Sequence, residues 1–165
     1  MSEPNWIATA RSLIGTKETP GPGDNQTIVN WAKAFGGWEG SYYLHDSIPW
    51  CALFVAHVLD VNGMKPPKGF LSALAWKDWG DECFPAIPGS ILVFGRDGGG
   101  HVGFYIAEDD SAYHVLGGNQ SDAVSITRVA KNRLVSSRWP TGASKGWWSG
   151  PVHADASGNL SKSEA

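Results

Sequence analysis

Ile48-Pro49-Trp50-Cys51-Ala52-Leu53-Phe54-Val55-Ala56-His57-Val58-Leu59 decides how the chain is read. Proline suits the first turn of a helix, where its missing N–H has no intrahelical partner to lose. Asp46 or Ser47, just upstream, can cap the open N–H groups. Ala52, Val55, Ala56 and Leu59 recur at helical spacing and give one apolar face, and Asn62-Gly63 stops the run. Cys51 therefore falls in the first turn of a helix. There the dipole and the unbonded N–H groups favour negative charge, and the thiolate is the nucleophilic form of cysteine. The competing use of such a residue is as a small buried apolar side chain.

Upstream, Trp6, Ile7, Ala10, Leu13 and Ile14 share a face of a helix that Asn5 can cap and Gly15 ends. A second helix follows a cap at Asp24 or Asn25, buries Ile28, Val29, Trp31, Ala32 and Phe35, and closes at Gly36-Gly37. Gly40 to Ser47 reads as an irregular aromatic approach to the cysteine, and Ser72 to Trp79 as a short helix. After Pro85 the pattern changes to strands, at 90–94, 102–107, 112–116, 124–129 and 134–139. Short connections between them predict an antiparallel meander. Helices first and sheet second is an α+β layout, with a sheet of about five strands. One domain over 1–150 and a flexible tail over 151–165 are expected, with no internal repeat.

The 165 residues suffice for one core, and 18% charged with 42% apolar residues is a globular composition. A net charge of −3 gives no basic field for nucleic acid. Arg128, Lys131, Arg133, Arg138 and Lys145 form a local basic run, read as a solvated edge. Cys83 sits beside Phe84-Pro85 with no helix start or histidine near it, and reads as structural. No metal-ligand spacing occurs, so no metal or cofactor is expected. The N-terminus has no basic, apolar leader and no segment reads as a membrane span, so cytoplasmic synthesis without stable membrane insertion is expected.

Two distant segments are candidate partners for Cys51. His101 follows Gly98-Gly99-Gly100 and opens the second strand. A histidine at a sheet edge, facing a helix start, can take the thiol proton and later give it to a leaving amine. His45 is the main rival; His57 points to another face of the cysteine helix, His114 alternates in a strand, and His153 lies in the tail. Asn119 follows Gly117-Gly118 on the next strand, where a side-chain oxygen can hold an imidazole in one tautomer. Gln120 and Asp122 are neighbouring substitutes for that role.

The stretches Pro49-Trp50-Cys51-Ala52, Pro88-Gly89-Ser90-Ile91-Leu92-Val93-Phe94, Gly99-Gly100-His101-Val102-Gly103-Phe104-Tyr105, Leu116-Gly117-Gly118-Asn119-Gln120-Ser121-Asp122 and Arg138-Trp139-Pro140 resemble papain-like cell-wall hydrolases of the NlpC and CHAP type. The resemblance covers roughly residues 5 to 140, the size of one such domain. It implies a papain-like fold, with Cys51 as nucleophile, His101 as base and Asn119 as orienting residue. It implies bacterial peptidoglycan as partner and a monomer that hydrolyses an amide of the peptide stem. Tyr43, Asp46, Trp50, Gln120 and Trp139 are the expected substrate-binding residues, Tyr43 also as an oxyanion donor. A phage endolysin acting on the wall after release is the favoured setting. An injected effector, a transferase or deamidase, and a non-catalytic wall-binding module are the alternatives. The sequence departs from the NlpC pattern at Trp50-Cys51-Ala52-Leu53, where Asp-Cys-Ser-Gly is usual, and lacks the acidic calcium loop of some CHAP domains.

Overall fold

The computed structural model describes residues 3–43, 45, 48–146, 148 and 150–161. Four helices lead: α1 (Asn5–Ser12), α2 (Gln26–Phe35), α3 (Gly37–Tyr42) and α4 (Cys51–Val61). Six strands follow: β1 (Asp81–Glu82), β2 (Ile91–Arg96), β3 (Gly99–Glu108), β4 (Ala112–Gln120), β5 (Ala123–Ala130) and β6 (Leu134–Trp139). They form one antiparallel sheet in the order β1-β6-β2-β3-β4-β5. The expected α+β layering is present, with the cysteine helix laid on β3 and β4. The sheet has six strands rather than five, because Asp81 and Glu82 pair with Trp139 and Arg138 at the end of β6.

The helix that starts at Cys51 is apolar nearly all round. Cys51 to Ala56, Val58 and Leu59 are buried, as a central core helix requires. Its neighbours are the apolar faces of α1 and α2 on one side and Val102, Phe104 and Leu116 of the sheet on the other. The opposite sheet face carries a smaller cluster around Leu92, Phe94, Tyr105, Tyr113 and Val115. Among the described residues no helix is long and apolar enough to cross a membrane.

Several local expectations shift. α1 begins at Asn5 itself, after an N-cap at Pro4 that gives no side-chain cap bond. Asn25 caps α2, its side chain accepting from the Thr27 N–H at 2.9 Å. Gly36 and Gly37 do end α2, but their positive φ values of 66° and 59° turn the chain straight into α3, which the sequence reading missed. α3 then presses on α2, since a Cβ at Gly40 would lie 3.3 Å from the Ala32 carbonyl oxygen. The expected helix at 72–79 is one 3-10 turn, Ala73–Trp76, whose Trp76 indole donates to the Phe70 carbonyl at 3.0 Å. Within the segment expected as a tail, Val152, Ala154 and Ser161 make backbone hydrogen bonds to β3 and β5. Glu108 N–H donates to Val152 O and Ser161 N–H to Arg128 O, each at 2.8 Å.

Candidate active site

Cys51 is the first helical residue of α4, and Trp50 is its N-cap without a side-chain cap bond. Pro49 therefore stands one residue outside the helix, not inside its first turn. The proposed caps Asp46 and Ser47 lie outside the described residues. The entry to α4 is fixed from elsewhere: the buried Trp50 indole donates to Glu18 Oε1 at 2.9 Å, and Trp31 packs on Trp50 at 6.1 Å between ring centroids. Glu18 itself is anchored by its N–H donating to the Asp122 carbonyl at 2.9 Å. Its role had no signal in the sequence, because the partners are 32 residues apart.

Two glycines bring the sheet to this helix end. A Cβ at Gly118 would lie 2.7 Å from Phe54 Cβ and 2.8 Å from the Trp50 ring, so only glycine lets β4 rest on the first turn of α4. A Cβ at Gly117 would lie 2.7 Å from Gln120 Oε1 and 3.4 Å from His101 Nε2, so that glycine leaves room for the pair next to it. His101 stands on β3 opposite Phe94, whose ring stacks on the imidazole at 6.2 Å.

One bond to the imidazole has a forced direction. His101 Nε2 and Gln120 Oε1 are 2.9 Å apart. The Gln120 amide nitrogen faces two carbonyls, Val115 O at 3.1 Å and Ser125 O at 2.7 Å. Carbonyl oxygens only accept, so they require the NH2 group and leave Oε1 toward the histidine. Oε1 likewise only accepts, so Nε2 must carry the proton in the neutral ring. The basic lone pair of neutral His101 is therefore on Nδ1. Cys51 opens the helix on which Gly118 packs through Phe54 and Trp50, and the His101 imidazole lies beside Gly117, the preceding residue of that strand.

Gln120, expected at the substrate and as a substitute for Asn119 beside the imidazole, is the residue bonded to His101. β4 gains one residue relative to β5 between Gly117 and Gln120, a bulge that moves Gln120 onto the face of His101. Asn119 sits in this bulge at φ 58°, buried, its Oδ1 without a hydrogen-bond partner among the described residues. Tyr43, Trp50 and Trp139 are fully buried. The Tyr43 hydroxyl donates to Ile48 O at 2.8 Å, and the Trp139 indole donates to Ala143 O at 2.9 Å. Their large aromatic area finds its partners in the core, the commoner fate of such rings. Asp46 lies outside the described residues.

The rival histidines are held elsewhere. His45 is exposed and 3.1 Å from Asp24, and His57 stacks on Trp31 at 4.9 Å, where burial lowers its pKa. His114 lies 2.7 Å from Asp109. Neither cysteine is in a disulfide. Cys83 is buried, its backbone paired with Ser137 and its Sγ facing the Ser90 hydroxyl at 3.6 Å. An open groove of about 440 Å³ adjoins the site, walled by Glu18 and Thr19 on one side and Ser121 and Asp122 on the other. These residues join directly to the supports of Cys51 and His101.

No protein-family model matches the chain, and no curated protein matches it. Among solved structures it is similar to RipD from Mycobacterium tuberculosis, described as a non-catalytic NlpC/p60 domain protein adapted to peptidoglycan binding. The identity is 18%, over 80% of this chain and 91% of that one, with a TM-score of 0.47. Likeness at this level assigns neither family nor chemistry to the chain.

Proposed function

We propose that the protein is a cysteine amidohydrolase that cuts an amide bond in the peptide stem of bacterial peptidoglycan. The His101–Gln120 bond supports the reading: it leaves the basic nitrogen of a buried imidazole on Nδ1, beside Gly117 of the strand whose next residue, Gly118, packs on the first turn of α4. In the reaction His101 Nδ1 takes the proton from Cys51 Sγ, and the sulfur attacks the carbonyl carbon. The Cys51 backbone N–H stabilises the oxyanion at the helix start. Collapse breaks the C–N bond, and His101 returns the proton to the departing amine. Water, deprotonated by His101, then releases the acyl group from sulfur as a carboxylic acid and restores the thiol. The motif resemblance supplies the substrate class, and a phage endolysin is the setting it favours.

One observation favours a second reading, a wall-binding domain without catalysis: Cys51 is 7% exposed and His101 is 0% exposed. Incubation of purified peptidoglycan with wild type and Cys51→Ala, followed by mass spectrometry of the soluble products, separates the two. Peptide fragments from wild type alone support hydrolysis, and their masses name the bond. Binding of both proteins to the wall with no fragments from either supports the second reading.

A further inference from the structure

The aromatic residues expected to meet substrate are buried, but one aromatic pair is not. Trp38 and Tyr42 stand four residues apart on α3, edge to face at 5.7 Å, and are 55% and 56% exposed. Trp6, Trp31, Trp50, Trp76 and Trp139, by contrast, are all buried. The pair is held firmly, because Gly40 sets α3 directly on the α2 backbone. Glu39, which lies between Trp38 and Tyr42 on α3, also lines a groove of about 540 Å³ with Phe35, Phe70, Asp60, Lys65 and Lys68.

We propose that the Trp38–Tyr42 face and this groove bind a saccharide chain, resting on the cell-wall reading for the source of that chain. A sugar ring offers an apolar C–H face to an aromatic plane and a rim of hydroxyl and amide groups to polar side chains. The site offers the complement, two exposed rings and a rim of two carboxylates and two ammonium groups. The rim's two carboxylates offset its two ammonium groups, so it offers no net attraction to a polyanion such as nucleic acid or an anionic membrane. Asp60 follows Cys51 by nine positions on α4. The groove therefore lies about 14 Å along the helix axis from the thiol, and its ligand does not occupy the reactive centre.

The probe is an N-acetylglucosamine tetrasaccharide without peptide, titrated into wild type, Cys51→Ala, Trp38→Ala, Trp38→Phe and Tyr42→Ala by calorimetry. Saturable binding is expected, equal in wild type and Cys51→Ala, about tenfold weaker in Trp38→Ala and less weakened in Trp38→Phe. Thermal melts of the exposed-site variants should match wild type. No saturable binding by wild type, or equal affinity in Trp38→Ala and Tyr42→Ala, overturns the proposal. So does Trp38-dependent binding to phosphatidylglycerol vesicles in place of the sugar. Cleavage of a sugar-free stem peptide, assayed in parallel, depends on Cys51 and not on Trp38. Its failure beside intact sugar binding overturns hydrolysis and leaves the saccharide site standing.

Discussion

His101 and His114 lie on neighbouring strands, and each has its Nε2 against an oxygen, Gln120 Oε1 at 2.9 Å and Asp109 Oδ2 at 2.7 Å. The partners differ in kind. Gln120 is neutral, and its own amide is locked by two carbonyls, so it fixes ring and tautomer without supplying a charge. Asp109 is a carboxylate engaged by Arg128 through two bonds of 2.8 and 3.0 Å and by the Ser111 N–H at 3.0 Å. Arg128 in turn donates to Gly158 O at 2.9 Å, which ties the C-terminal segment to the sheet. One histidine is held by a neutral amide and the other belongs to an ionic clamp. The chemistry of the partner, not the presence of a histidine, separates them.

The largest expected break in this comparison is between His101→Ala and His114→Ala. The first should lower peptide release by roughly 10³-fold or more, as loss of a nucleophile's base does. The second should change the rate about twofold or less while lowering the melting temperature. Parallel progress curves and melts of the two variants check both. Equal losses of activity would remove the distinction.

Gln120→Leu sharpens the same point. It keeps the space but removes the bond that sets the tautomer, and leaves Val115 O and Ser125 O without their donor. Activity should fall about 10- to 100-fold, by analogy with outer-shell partners of functional histidines. Stability should fall by about 1–3 kcal/mol for the buried unpaired groups. A pH–rate profile tests whether Gln120 positions His101: its acid limb should move in Gln120→Leu, which a purely structural loss would not cause.

Gly118→Ala probes the packing that joins the sheet to α4. The added methyl meets Phe54 Cβ and the buried Trp50 ring. A destabilisation of about 1–3 kcal/mol is expected in urea unfolding, with reduced activity, because neither neighbour can move without shifting the helix start.

The smallest effect concerns the clamp. Hydrogen bonding to Arg128, with help from His114 and the Ser111 N–H, holds the Asp109 carboxyl far below the usual carboxylate range. A carboxyl depressed in the folded state contributes stability that is complete above the ordinary value of about 4 and is lost as pH falls below it. Asp109→Asn should therefore melt earlier than wild type at neutral pH and lose less stability between about pH 4 and pH 2. Melts at both ends of that interval check the sign.

Much of this arrangement was legible in the chain. Pro49 and the apolar spacing after Cys51 marked the helix start, and Gly98-Gly99-Gly100 marked the strand that carries His101. The partner of His101 was legible only as a choice, with Asn119 favoured and Gln120 and Asp122 as substitutes. Strict alternation along β4 gives no means of seeing the extra residue between Gly117 and Gln120, and that one residue decides which amide reaches the ring. Exposure of the aromatics was hidden for a similar reason. Trp38 and Trp50 are the same residue type in similar Gly-rich or Pro-rich surroundings, and only the packing of α2, α3 and α4 buries one and leaves the other out. Glu18 escaped because its contact with Trp50 is purely tertiary.

The activated thiol is the central claim, and its most direct test is alkylation of the native protein with iodoacetamide at neutral pH, followed by peptide mapping. Cys51 should be labelled well before Cys83, and labelling of Cys51 should slow about tenfold or more in His101→Ala but not in His114→Ala. Equal, slow labelling of both cysteines, or labelling of Cys51 that ignores His101, would contradict the account.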